Sequence, residues 1–165
     1  MKIINHSIKV SVYQGTSELD SDVVLLLEAA RASVQNAYAP YSHFKVGAAI
    51  LLNNGQIITG NNQENAAYPS GLCAERVAAF YASAQYPTVP FSKLAIVSIH
   101  PETPSTQPIA PCGSCRQVLL EYEDKFGQEI EIILASETDE IYVFKCVKDL
   151  LPFSFNSGHL VSFTE

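Results

Sequence analysis

The chain has 165 residues, about one domain's worth, enough to bury roughly two-thirds of its unfolded surface without disulfides. At 47% hydrophobic and 16% charged, with 8 Gly and 9 Pro, it is not disordered, collagen-like or a coiled coil. Ten Lys and Arg against 17 Asp and Glu leave a net charge of −7, which opposes nucleic-acid and anionic-membrane partners and leaves small molecules and proteins.

Ile8, Val10 and Val12 alternate with polar residues and predict a short strand, broken at Gly15-Thr16-Ser17. From Ser17 or Ser21 to about Tyr38, apolar residues recur at three- and four-residue steps. That spacing predicts a helix, with Asp20 or Ser21 able to cap it and Pro40 ending it. Phe44 to Leu52 reads as a strand running into Asn53-Asn54-Gly55, a favoured hairpin turn, and Gln56 to Gly60 as its return. A small-residue helix follows over 73–85, then a buried strand from Lys93 to His100 and a loop from Pro101 to Pro108. A further helix runs from about Cys115 to Phe126. Strands over Glu129 to Ala135 and Ile141 to Phe144, and a short helix from Val147 to Leu151, complete the chain. This order predicts one α/β domain over 1–165, with three layers around a mixed sheet opened by an antiparallel hairpin.

The first residues lack the apolar core of a signal peptide, and runs such as Val23 to Leu27 are too short to span a bilayer. Four cysteines do not make a disulfide scaffold in a chain of this size. With no secretion signal, they favour reduced thiols and a metal, which predicts a cytoplasmic protein.

Two segments carry the chemistry: Cys73-Ala74-Glu75-Arg76 and Pro111-Cys112-Gly113-Ser114-Cys115-Arg116, each where a loop enters a helix. Cys112 and Cys115, three apart, can face one zinc ion, and Cys73 supplies a third thiolate. Three ligands leave the fourth tetrahedral position open, as in a catalytic zinc. Glu75, two residues from Cys73, can reach that position without being a ligand. A structural zinc would need a fourth ligand from His43, His100, Cys146 or His159, and none of these has short ligand spacing. Cys146 lies in an apolar stretch and reads as a small buried hydrophobe. Three thiolates on one zinc leave a net negative charge, to be offset by helix N-termini and by Arg76 or Arg116.

A Cys-x-Glu motif followed by Pro-Cys-x-x-Cys is the layout of the zinc deaminases, here in an all-cysteine version. The chain resembles the free-nucleoside cytidine deaminases well beyond it. Pro40-Tyr41-Ser42-His43-Phe44-Lys45-Val46-Gly47-Ala48-Ala49 resembles that family's first signature, and Asn62-Gln63-Glu64-Asn65-Ala66-Ala67-Tyr68 its ribose-recognition segment. Cys112 to Leu119 resembles its second zinc segment, and Leu150-Leu151-Pro152-Phe153-Ser154-Phe155 its C-terminal motif. The match covers about 28–155. Gln63 and Asn61 depart from the usual residues, the 101–108 loop is expanded, and 1–18 forms an N-terminal extension.

The resemblance implies a three-layer α/β/α fold around a five-stranded mixed sheet, and hydrolytic deamination of cytidine and 2′-deoxycytidine in pyrimidine salvage. It implies that Glu75 shuttles protons from the attacking water to ring N3 and to the departing amino group. It also implies that Arg76 hydrogen-bonds the sulfurs. Asn62 and Glu64 would hold the ribose, Phe44 would stack on base or sugar, and the Ala74 backbone would meet the pyrimidine's polar edge. Phe155 would enter a neighbour's site in a homotetramer with shared active sites. Alternative roles are core packing for Phe44 and Phe155, turn formation for Asn62, a surface charge pair for Arg116, and interface or core for Tyr68. Deamination of another aminopyrimidine nucleoside or nucleoside antibiotic, or a non-catalytic structural zinc module, are the alternative functions. Polynucleotide editing is opposed by the net charge and by Glu64, which would repel a 3′-phosphodiester.

Overall fold

The computed structural model describes residues 1–100, 102, 105 and 107–160. Pro101, Thr103, Pro104 and Thr106 of the expected loop lie outside the described residues, as do 161–165. The chain forms β1 (Val10–Gln14), α1 (Ser21–Val34), β2 (Lys45–Leu52), β3 (Ile57–Asn61), α2 (Ala74–Gln85), β4 (Phe91–Ile99), α3 (Gly113–Phe126), β5 (Glu131–Ala135) and β6 (Glu140–Phe144). Short 3-10 turns occupy Tyr68–Ser70, Val147–Leu150 and Ser157–His159.

One mixed sheet has the order β1-β6-β5-β4-β2-β3, parallel only between β4 and β5. The sheet therefore has six strands where five were expected. The sixth is β1, which pairs antiparallel with β6 from Val10 opposite Phe144 to Gln14 opposite Glu140. Residues from the N-terminal extension thus add an edge strand, and their alternating apolar side chains, Val10 and Val12, remain exposed.

The core divides by strand parity. Ala95 and Val97 of β4 and Ile133 of β5 pack under α1, against Leu26, Leu27 and Ala30. Their neighbours Leu94, Ile96, Ile132 and Leu134 face the opposite way, towards α2 and α3, where Ala78, Ala79 and Leu119 cover them. This period-two split of a continuously apolar strand is the mark of a sheet covered on both faces.

Helix α1 stops at Val34, short of the expected end near Tyr38, because the Tyr38 N–H donates instead to the Asn62 carbonyl at 3.0 Å. The hairpin turn forms as expected, with Gly55 at φ 82°, where a side chain would be strained. At Gly60, an added Cβ would lie 2.6 Å from the Ala74 carbonyl oxygen and 2.5 Å from the Ala78 nitrogen. Only glycine lets the start of α2 seat this closely on β3, and that seat positions Cys73 and Glu75. Among the described residues, no helix is long and apolar enough to cross a membrane.

Candidate metal centre and active site

Cys73 immediately precedes α2, Cys112 immediately precedes α3, and Cys115 lies in the first turn of α3. Helix geometry alone brings Cys112 and Cys115 to 3.5 Å, sulfur to sulfur, while the packing of α2 on the sheet brings Cys73 to 3.9 Å from Cys112. All three Sγ atoms lie within 4.8 Å of one another. A tetrahedral zinc with bonds of about 2.3 Å needs sulfur–sulfur edges of about 3.8 Å, so this donor set fits zinc. Among the described residues it is the one cluster of three or more His, Cys, Asp or Glu able to hold a metal, and none of His43, His100, Cys146 or His159 joins it. Cys146 is buried, and burial pushes its thiol pKa up, consistent with a packing role.

Without a metal, the sulfurs compete for charge. Hydrogen bonds from Cys115, Arg76 and Cys112 pull the Cys73 thiol down to about 5, whereas its bond to Cys73, with burial, pushes Cys115 up. Arg76 donates from Nη2 to the Cys73 sulfur at 3.7 Å, and its Nε is buried without a partner among the described residues. Glu75 is only 5% exposed. Burial, and then the Cys73 charge, raise its carboxyl above the ordinary value. Desolvation favours the protonated form of a carboxyl, and one held beside a metal-binding cluster is placed to exchange protons with a group bound there.

Glu75, Cys73 and Cys112 open onto a cavity of about 230 Å³ that Phe44, Val46 and Ser98 also line. Beside it lies a cavity of about 470 Å³ bordered by Tyr41, Gln63, Tyr68 and Arg76. Asn62, Glu64, Ser42 and Cys73 line both. Phe44, Asn62, Glu64 and Glu75, drawn from three parts of the sequence, therefore share one concavity.

The rim is prearranged. Glu64 accepts from the Tyr41 N–H at 2.9 Å, the Ser42 N–H at 3.3 Å and the Ser42 hydroxyl, and the hydroxyl bond leads in holding its carboxyl below the usual range. His43, next in this loop, sits at φ 57°, the single non-glycine at positive φ among the described residues. Such backbone strain persists where surrounding contacts enforce it. Asn62 accepts from the Val46 N–H at 2.8 Å and donates to the Phe44 carbonyl at 2.9 Å, so its amide extends the β2 ladder and orients Phe44. The Phe44 ring tilts against His100 with centroids 6.2 Å apart.

Three residues singled out in the sequence lie outside both cavities. Ala74 is fully buried at the start of α2, between Cys73 and Glu75. Phe155 lines neither cavity. It is 58% exposed, and its ring stacks on His159 at 5.6 Å. Arg116 directs its guanidinium to the Pro111 and Leu150 carbonyls rather than to a surface carboxylate. Sequence reasoning missed Ser42, which organises Glu64, and Ser98, whose buried hydroxyl on β4 has no partner among the described residues. A polar residue following Leu94 and Ile96 on the same parity of an apolar strand was the available signal for Ser98.

Residues 21–126 match the family model described as the cytidine and deoxycytidylate deaminase zinc-binding region. The chain is 40% identical over 136 residues to the cytidine deaminase of Halalkalibacterium halodurans, covering 82% of this chain and 96% of that protein. It is 40% identical over 143 residues to the cytidine deaminase of Mycobacterium tuberculosis, covering 86% and 95%. The crystal structure of cytidine deaminase from Burkholderia pseudomallei superposes with a TM-score of 0.70 at 42% identity, covering 80% of this chain and 98% of that one.

Proposed function

This chain belongs to the cytidine and deoxycytidylate deaminase family, and we infer that it is a zinc-dependent hydrolase that deaminates cytidine to uridine and ammonia. One observation carries the mechanism: three thiol sulfurs cluster at the wall of a cavity that two of them, Cys73 and Cys112, line together with the buried Glu75 carboxyl. We assign Cys73, Cys112 and Cys115 as the zinc ligands. Bound there, zinc supplies Lewis acidity that makes a water acidic enough to attack near neutral pH. Glu75 takes a proton from the attacking water and gives it to ring N3 as the C4–O bond forms. It then carries the new hydroxyl's proton to the amino nitrogen, the C4–N bond breaks, and ammonia leaves. Burial raises this carboxyl, which favours its holding the proton between the two transfers.

Arg76 draws charge from the thiolates. Phe44 stacks on the base, and the Ala74 backbone meets the pyrimidine edge. Asn62 lies along the ribose wall, and Glu64 accepts from the 3′-hydroxyl. Ribose and deoxyribose share that hydroxyl, so 2′-deoxycytidine is a second substrate. The activity returns cytidine to uridine, a step of pyrimidine salvage.

Residues 1–165 form one deaminase domain, with 1–18 an extension to it. Phe153 is 75% exposed and Phe155 58%, and neither lines its own chain's cavities. Two exposed aromatics favour burial between subunits, and we place Phe155 at a neighbour's site in a homotetramer. Reduced thiols at a zinc site favour a cytoplasmic location, and the net charge of −7 favours nucleosides over nucleic acid.

Ammonia release by zinc-loaded protein from cytidine, 2′-deoxycytidine, cytosine and a cytosine-containing oligonucleotide tests the reading. Turnover of both nucleosides alone is expected, and no turnover of either overturns it. Light scattering of the wild type and Phe155→Ala tests the assembly, which a monomeric, fully active wild type refutes.

A further inference from the structure

Arg116 sits in the first turn of α3, immediately after Cys115. Its Nε donates to the Pro111 carbonyl at 2.7 Å, and one terminal nitrogen donates to the Leu150 carbonyl at 2.9 Å. Pro111 immediately precedes Cys112. Leu150 ends the turn from which residues 151–155 depart. The next residue, Gln117, donates from Nε2 to the Phe155 carbonyl at 2.7 Å. The first turn of α3 therefore holds both ends of the C-terminal segment while its leading loop supplies a sulfur of the metal site.

We propose that Arg116 is a positioning residue whose planar fork couples the Cys112 loop to the 151–155 segment, so that order at either place supports order at the other. A guanidinium can hold two carbonyls at a set angle, and each charge-assisted bond is stronger than a neutral one. Proline cannot donate, so the Pro111 carbonyl is the handle by which this loop is held from its N-terminal side. The coupling rests on the deaminase reading of the metal site and adds to it a route by which metal binding orders the segment carrying Phe155.

Hydrogen exchange on the wild type tests the coupling from the metal's side. Removing zinc with a chelator should raise exchange of the amides between Leu151 and Phe155 roughly tenfold, because linkage is reciprocal. The strands β4 and β5 should stay protected. Unchanged exchange at 151–155 overturns the proposal, and so does a loss of protection spread across β4 and β5. From the other side, Arg116→Lys, with one ammonium on a flexible stem, should release zinc to a chromophoric chelator roughly tenfold faster. Gln117→Ala should loosen 151–155 and, by the same linkage, speed zinc release, though by less than Arg116→Lys. Arg116→Lys with wild-type zinc release and exchange also overturns the proposal, and if that variant does not fold the wild-type arm decides. A wild type that binds zinc and shows the coupling but releases no ammonia from cytidine breaks the deaminase reading instead.

Discussion

Glu75 and Glu64 line the same cavity and live in opposite surroundings. Glu75 is 5% exposed behind the sulfurs, and burial raises its carboxyl. Glu64 stands on the rim, where the Ser42 hydroxyl and two backbone N–H groups hold its carboxyl down. One environment makes a carboxyl that exchanges its proton, and the other a carboxylate that stays charged and accepts. Carboxyl groups whose surroundings push their pKa values apart can divide the labour of a site, and the proposed function gives the inner one the protons and the outer one the sugar.

The harshest way to break that division is to remove the centre both groups serve. Cys115→Ala is expected to lose zinc and all measurable turnover, because two thiolates are too few for tight tetrahedral binding. Elemental analysis of wild type and variant checks it, and a wild type active without metal would sink the assignment. Glu75→Gln comes next: kcat should fall roughly 100- to 10,000-fold with zinc retained, since an amide cannot shuttle protons. Activity within a few-fold of wild type would give the proton transfer to another group.

Glu64→Ala should act on the opposite kinetic constant. KM should rise roughly ten- to a hundredfold, the worth of a hydrogen bond to a charged group, with kcat changed less. Equal kcat/KM for cytidine and its 3′-deoxy analogue on the wild type would remove Glu64 from the sugar. The smallest effect belongs to Glu123, 4% exposed like Glu75 but away from the metal centre, with Oε1 accepting from Ile130 and Val147 at 2.8 Å each. Burial raises its carboxyl despite those bonds, and Oε2 has no partner among the described residues. A raised folded-state pKa contributes stability fully present below the unfolded value, near 4.5, and lost as pH rises through the folded value. Glu123→Gln never ionises, so its Tm should gain on the wild type by a few degrees between pH 4.5 and pH 8. A Tm difference that does not change with pH would show that charging Glu123 costs the fold nothing.

Local spacing made much of this legible. Cys112 and Cys115 had to meet because they lie within one helical turn, and Cys73-Ala74-Glu75 announced a second loop-to-helix junction. The hairpin at Asn53-Asn54-Gly55 and the α/β alternation were equally local. The alternation of Ile8, Val10 and Val12 marked a strand but not its partner, so the sixth position in the sheet, against β6, appeared only in the fold. Arg116 showed only its neighbourhood in the sequence, because one of its two partners, Leu150, lies 34 residues away.

Local sequence was enough for the chemical inventory: three thiols able to hold a metal, the carboxyl beside them, and the elements that carry both, since capping, periodicity and ligand spacing act over a few residues. The tertiary structure alone decided how those pieces divide their work. Burial of Glu75, the clasp of the Tyr41–Ser42 loop on Glu64, the diversion of the Asn62 amide to β2, and the direction of Arg116 each depend on groups brought from distant positions. Desolvation and hydrogen-bond partners are properties of the packed whole, and no local pattern encodes them.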